Sequence, residues 1–151
     1  MPNWVRNILT FNNESDCEKV WKGILKESKQ TLLDILGNQI INTKQLFSFE
    51  TVIPTPKTIE ECPQEYIKTE SSCIQEDKEK PWFDWYAWNC DFWGVKWDAC
   101  DACMYDREII FDTPWCPPCD SVFEAIAEKF NVNFTQTSEF ETYEHIINTW
   151  G

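Results

Sequence analysis

Hydrophobic and polar positions alternate differently along successive parts of the chain, and each pattern predicts an element. Residues 3–11 (Asn3-Trp4-Val5-Arg6-Asn7-Ile8-Leu9-Thr10-Phe11) read as a strand. Ser15-Asp16-Cys17-Glu18 then forms a capping box, which satisfies the free donors at a helix start. Cys17, Val20, Trp21, Ile24 and Leu25 recur at helical spacing and predict one buried face. Thr31 to Leu36 predicts a second helical stretch, stopped at Gly37. Gln45 to Val52 predicts a short strand. It ends at Ile53-Pro54-Thr55-Pro56, since proline cannot continue a sheet interior.

Residues 57–80 are polar and acidic and hold Cys62, Pro63 and Cys73, which predicts a long surface loop. Pro81 to Asn89 suits a short helix with proline at its first position. Between residues 82 and 97 stand Trp82, Phe83, Trp85, Tyr86, Trp88, Phe92, Trp93 and Trp97. Aromatics of this density predict core packing, with an exposed binding patch as the alternative.

Gly94 to Ala102 reads as a strand, with Val95, Trp97 and Ala99 on one face. Arg107 to Thr113 reads as its hairpin partner, with the turn near residue 105. Pro117 to Phe130 follows as a helix, with Ser121-Val122-Phe123-Glu124 as a second capping box. Its buried stripe is Val122, Phe123, Ile126, Ala127 and Phe130. Asn131 to Thr137 predicts a last strand, and the tail from Ser138 a helix.

Without the middle segment the order is strand, helix, strand, strand, helix, strand. That order predicts an α+β fold, a ferredoxin-like split βαβ sandwich with an antiparallel sheet and both helices on one face. The expected strand order is 4-1-3-2. Residues 1–151 then form a single domain, with residues 38–93 as an insertion between the first helix and the second core strand. That insertion carries the acidic loop and the aromatic-rich helix.

Eight cysteines invite two chemical readings. Trp115-Cys116-Pro117-Pro118-Cys119 follows a strand and opens a helix, as a thioredoxin-like redox motif does. That fold also needs strands and a cis-proline downstream, and no proline follows Cys119. Cys100, Cys103, Cys116 and Cys119 have the spacing of a four-thiolate zinc site. The hairpin opposes this, because Cys116 would lie on the order of 20 Å from Cys100 at the usual strand rise. The sandwich instead groups Cys17 with Cys100 and Cys103, and Cys90 with Cys116 and Cys119. No cofactor is expected beyond a possible structural zinc. His145 is the one histidine and lies among acids, and with four glycines there is no phosphate-cradling loop. Nothing in these residues argues for an enzyme.

Charge adds a location. Thirteen Lys and Arg stand against 26 Asp and Glu, a net of −13. Residues 1–58 hold 7 bases and 6 acids, and residues 59–151 hold 6 bases and 20 acids. The whole excess lies beyond residue 58. This acidity argues against direct nucleic-acid binding and against anionic membranes. No apolar run approaches a membrane span, and the first residues lack a signal-peptide layout. A soluble protein of the host cell cytoplasm is expected.

Several stretches together resemble one family. They are Met1-Pro2-Asn3-Trp4-Val5-Arg6-Asn7 and Phe47-Ser48-Phe49-Glu50-Thr51-Val52-Ile53-Pro54-Thr55-Pro56. Trp85-Tyr86-Ala87-Trp88 and Trp93-Gly94-Val95-Lys96-Trp97-Asp98-Ala99 follow. Phe111-Asp112-Thr113-Pro114-Trp115, with Pro117-Pro118, completes the set. These resemble the YubB-like proteins of plasmids and phages. The resemblance implies a ferredoxin-like domain and a mobile-element origin, and no activity. The family usually has serine where Cys116 stands, so its pattern needs no thiol there. The tail after Phe134 departs from the family's usual ending.

The expectation is a phage or plasmid accessory protein that binds a host protein with a basic surface. Its most specific form is an inhibitor of a bacterial defence effector, such as a CRISPR-type nuclease, through an acidic surface that mimics nucleic acid. The residues expected to carry binding are the acids Glu60, Glu61, Asp98, Asp101, Asp106 and Asp112. Trp85, Trp88 and Trp93 are the aromatic anchors, with Lys96 beside them. The alternatives are a thiol-based redox or metal-binding protein, and a small-ligand pocket among Trp85, Trp88, Trp93 and Trp97.

Overall fold

A computed structural model describes residues 2–69 and 81–151. The chain runs β1 (Trp4–Phe11), α1 (Glu14–Ile24), β2 (Leu25–Leu33), β3 (Gln39–Phe47), β4 (Ile67–Lys68), β5 (Trp82–Phe83), α2 (Trp85–Phe92), β6 (Cys100–Tyr105), β7 (Glu108–Pro114), α3 (Asp120–Phe130), β8 (Phe134–Glu139) and β9 (His145–Trp150). Cys73 and the rest of residues 70–80 lie outside the described residues; of the loop expected over 57–80, residues 57–69 are described, and they include a 3-10 turn, Gln64–Tyr66, and the short strand β4.

The main sheet has the order β6-β7-β1-β8-β9 with every pair antiparallel. Leaving out β9, this is the expected 4-1-3-2 order of a ferredoxin-like split βαβ sandwich. Period-two burial builds it. Val5, Leu9 and Phe11 of β1, Ile109 and Phe111 of β7, and Phe134 of β8 face one core. Cys17, Val20 and Ile24 of α1 and Val122, Phe123 and Ile126 of α3 meet them. The opposite face of the sheet, which carries Arg6, Ile8 and Thr10, is not part of this cluster.

The covered face also holds polar residues in its deepest part. Asn7, Thr113, Gln136 and Ser138 are each at most 2 % exposed. Gln136 Nε2 donates to Ser138 Oγ at 2.6 Å, and Ser138 Oγ donates to Asn7 Oδ1 at 2.7 Å. Asn7 Nδ2 donates to Thr113 Oγ1 at 2.9 Å, and Thr113 donates to the Cys116 carbonyl at 2.7 Å. Trp150 Nε1 donates to Gln136 Oε1 at 3.2 Å. The chain crosses four strands, and each donor in it has an acceptor, so desolvation is compensated.

Several expected elements differ. The helix expected over Thr31 to Leu36 is instead a β-hairpin, with Leu25 opposite Phe47 and Leu33 opposite Gln39. Gly37 does end an element, at a turn rather than a helix, with φ +82°. The insertion therefore begins at Leu25, directly after α1, and not at residue 38. The strand expected over Gln45 to Val52 stops at Phe47 and gives way to a 3-10 turn, Phe49–Thr51. The Asp98 carboxylate takes the Phe49 N–H at 2.8 Å and so ends the ladder there.

The aromatic-rich helix starts at Trp85, capped by Asp84, because Trp82–Phe83 pairs with Ile67–Lys68. Residues 94–97 are bends and 98–99 are irregular, so the strand begins only at Cys100. Gly94 has φ +76°, and an added Cβ would lie 2.6 Å from the Cys119 nitrogen. Neither capping box forms. Asn13 caps α1, and α3 begins at Asp120 after Cys119, with no side-chain cap. The tail expected to be helical is β9, because Trp150 stacks on Phe123 at 5.5 Å.

Candidate functional site

One row crosses the uncovered face of the sheet, reading Cys100, Asp112, Arg6, Glu139 and His145 on β6, β7, β1, β8 and β9. Strand alternation places these side chains away from the helices. Arg6 thus sits between two carboxylates, and its Nε lies 3.4 Å from Asp112 Oδ1. The loop after β8 adds Glu141, whose Oε1 accepts the Trp4 backbone N–H at 3.1 Å.

All of these but Cys100 line a groove of about 400 Å³. Trp4, Phe140 and Tyr143 form its aromatic walls, and His145 lies at one side. Tyr143 is 89 % exposed and has φ +66°, so the loop presents the ring outward in a conformation that L side chains rarely adopt. Inside the groove three carboxylates face one guanidinium.

A second aromatic group adjoins it through Trp4, whose ring meets Trp97 at 6.2 Å. Trp97 in turn meets Trp115 at 5.7 Å. The Lys96 ammonium lies 5.3 Å from the Trp97 ring centre, 5.6 Å from Trp115 and 5.7 Å from Tyr86. Three ring faces around one ammonium hold it by cation–π attraction. Trp115 is half-exposed with φ +62°, and its N–H donates to the Asn3 carbonyl at 2.8 Å. That strained backbone keeps its ring over Lys96.

The expected site residues divide. Lys96, Trp85 and Asp112 lie at this surface, with Trp85 against Tyr86 at 6.1 Å. Trp88 and Trp93 do not, at 3 % and 4 % exposed. Trp88 stacks on Phe92 at 4.7 Å, and Trp93 donates to the Ile53 carbonyl at 3.0 Å and meets Phe49. They are core side chains, so the pocket expected among four tryptophans is divided between core and surface.

Asp98 is likewise a structural clamp. Its carboxylate accepts from Ser48, from Phe49 N and from Ala99 N. Burial raises its pKa above the usual carboxylate value despite those hydrogen bonds. Asp101, in the bulge between Cys100 and Cys103, and Asp106, in the β6–β7 turn, are exposed and both have positive φ. Asp106 is close to Glu14 and raises its pKa, by hydrogen bond and by like charge. Glu60 and Glu61 are exposed on the separate 57–69 segment, where Glu61 accepts the Lys57 N–H at 3.1 Å.

The four-thiolate site does not form. The bulge sets Cys100 opposite Asp112, while Cys116 and Cys119 turn to the Gly94 and Phe92 carbonyls at 3.1 and 3.2 Å. Among the described residues no group of three or more His, Cys, Asp or Glu is placed to hold a metal ion. Cys90 and Cys119 are the thiols near Cys116. Burial, with those two neighbouring thiols, pushes the Cys116 pKa up, the opposite of what an activated thiolate needs.

Comparison with known proteins agrees on architecture. A family model described as the ferredoxin-like domain in Api92-like protein matches residues 92–145. The chain carries a ferredoxin-like domain. The matched stretch runs from the end of α2 through β6, β7, α3 and β8 to the first residue of β9, so it includes most of the groove and leaves out Trp4 and Arg6. No curated protein and no solved structure matches. Among the described residues no helix is long and apolar enough to cross a membrane.

Sequence reasoning missed Trp4, Arg6, Glu139, Glu141 and Tyr143. The usable signal was alternation. Trp4 and Arg6 share a strand face, and only Val5 between them is apolar core.

Proposed function

We propose that this protein is a phage- or plasmid-type accessory protein of the host cytoplasm that acts by binding. Its target is a basic protein surface, and its specific role is to inhibit a bacterial defence effector such as a nucleic-acid-guided nuclease. The observation that carries this reading is the groove in which Asp112, Glu139 and Glu141 face a single Arg6 between aromatic walls. A lysine or arginine of a partner would find carboxylates to pair with there and the Trp4 and Tyr143 ring faces to lie on.

The net charge of −13 supports the reading from a distance, because it steers a cationic partner toward the molecule. The Lys96 cage and Trp115 provide rigid aromatic area at the rim, the kind of anchor that dominates binding interfaces. The resemblance to mobile-element proteins supports the setting.

The test is binding to a purified nucleic-acid-guided nuclease at rising salt, with Asp112→Lys and Glu139→Lys beside the wild type. Affinity should fall steeply with salt, and each reversal should weaken binding at least tenfold. Affinity that ignores both salt and the reversals would remove this reading.

A further inference from the structure

We propose that the β2–β3 hairpin is a self-association arm whose occupant is the same hairpin of a second copy of this chain.

The arm has a built tip. Asp34 Oδ1 accepts the Leu36 and Asn38 backbone N–H groups at 2.9 and 2.8 Å, and Oδ2 accepts Asn38 Nδ2 at 3.2 Å. Asp34 N donates to the Asn38 carbonyl at 2.9 Å, and Gly37 N donates to the Asp34 carbonyl at 3.0 Å. The donors around its carboxylate, the Asn38 N–H first, hold the Asp34 pKa below its usual value. This ordered turn carries aliphatic residues where polar ones are usual. Ile35 is 103 % exposed and Leu36 84 %.

The apolar surface continues down both faces of the ribbon. Leu33 and Ile41 stand on one face, and Leu32 and Ile40 form a cross-strand pair on the other. All four are between 47 % and 71 % exposed. With the tip, either face exposes on the order of 500 Å² of aliphatic surface, the size that each partner gives to a weak, reversible interface. None of the six belongs to the core cluster. The outer edges of β2 and β3 have no strand partner among the described residues.

Charge leaves this segment open to a second copy. Two copies of a molecule with net charge −13 repel one another over most of their surfaces. Residues 1–58 are the exception, and residues 25–47 are the part of them that projects as an exposed apolar arm. The arm holds Lys26, Lys29 and Lys44 against Glu27 and Asp34, a net of +1. A cationic protein drawn to the acidic body gains nothing electrostatic from this segment. A second copy can meet it here with little like-charge penalty, since Lys26 is itself paired with Glu50 at the base of the arm. A ribbon with two open edges is also self-complementary about a two-fold axis, which lets the contact close as a dimer.

The test is sedimentation velocity of the full chain from low to high micromolar concentration, repeated in high salt. The wild type should pass from monomer to dimer, and salt should not dissolve the dimer, since the contact is apolar. The double variant Ile35→Asp, Leu36→Asp should raise the dimer dissociation constant at least a hundredfold. Both side chains are exposed, so its circular dichroism and Tm should match the wild type. A wild type that stays monomeric throughout, or a dimer indifferent to the double substitution, overturns the proposal. So does a wild type that stays monomeric and, with neutral lipid vesicles added, sediments with them while the double variant does not.

Discussion

Ser138 donates its hydroxyl to Asn7 Oδ1 at 2.7 Å in the buried face of the sheet, joining β8 to β1 where apolar packing would otherwise be continuous. Ser138 also accepts from Gln136, so one hydroxyl serves two neighbours. Ser138→Ala should leave the Asn7 oxygen and the Gln136 amide without that partner. We expect a loss of about 1–3 kcal/mol in urea unfolding. A loss near zero would mean that water enters the site.

The two kinds of tryptophan should separate in a stability assay. Trp93 is core, and Trp93→Ala should cost about 3–5 kcal/mol. Trp115 is half-exposed in a strained conformation. Trp115→Gly removes the ring and relieves the backbone, so stability should change by less than about 1 kcal/mol. Equal losses in the two variants would show that Trp115 is structural.

Gly94 is held where no side chain fits, against the backbone of Cys119. Gly94→Ala combines a left-handed backbone with a close contact and should destabilise by about 1–3 kcal/mol. Differential scanning calorimetry reads this directly, and an unchanged Tm would mean that the 92–94 and 116–119 segments can part freely.

Glu14 and Asp106 make stability depend on pH. The Asp106 carboxyl raises the Glu14 pKa above its usual value, with Glu18 adding to the effect. A raised folded-state pKa means that the folded protein binds the proton more tightly. The contribution is present at low pH and is lost as pH rises through that raised value. Asp106→Asn removes one of the repelling charges, and asparagine tolerates the positive φ at this turn. Its Tm should exceed the wild type's at pH 7 and match it at pH 4. Matching curves at both would remove the coupling.

Thiol reactivity should follow burial. Cys17 is fully buried, and burial, with Glu18 and other acids nearby, pushes its pKa up to about 11. Cys90 and Cys103 are exposed. A disulfide reagent at pH 8 should label Cys90 and Cys103 promptly and Cys17 only on unfolding, as peptide mass spectrometry would show. Early labelling of Cys17 would mean that α1 opens readily.

The six-element frame was legible because its signals are local. Alternation in β1 and β7 and the helical stripes Val20/Ile24 and Val122/Ile126 each name a buried face. Connection rules then leave few ways to join them. The hairpin at 25–47 was not legible. Leu32, Leu33, Ile35 and Leu36 satisfy a helical spacing equally well, and the choice was made by cross-strand pairing, ten residues apart at Thr31 and Ile41 and twenty-two apart at Leu25 and Phe47. β9 was hidden for the same reason, since Trp150 reveals its role only against Phe123.

By itself the sequence determined a ferredoxin-like sandwich and placed the negative charge beyond residue 58. Both follow from summing local properties. Which aromatics face solvent, and which carboxylates share a groove, was decided only by the tertiary structure. Trp88, Trp93 and Asp98 are chemically as suited to binding as Trp4, Tyr143 and Glu139. The burial of Trp93 and Asp98 depends on Phe49, Ser48 and Ile53, which lie 40 or more residues away along the chain, and Trp88 is buried in turn against Trp93. Distant contacts of that kind remove side chains from water, and no spacing along the chain records them.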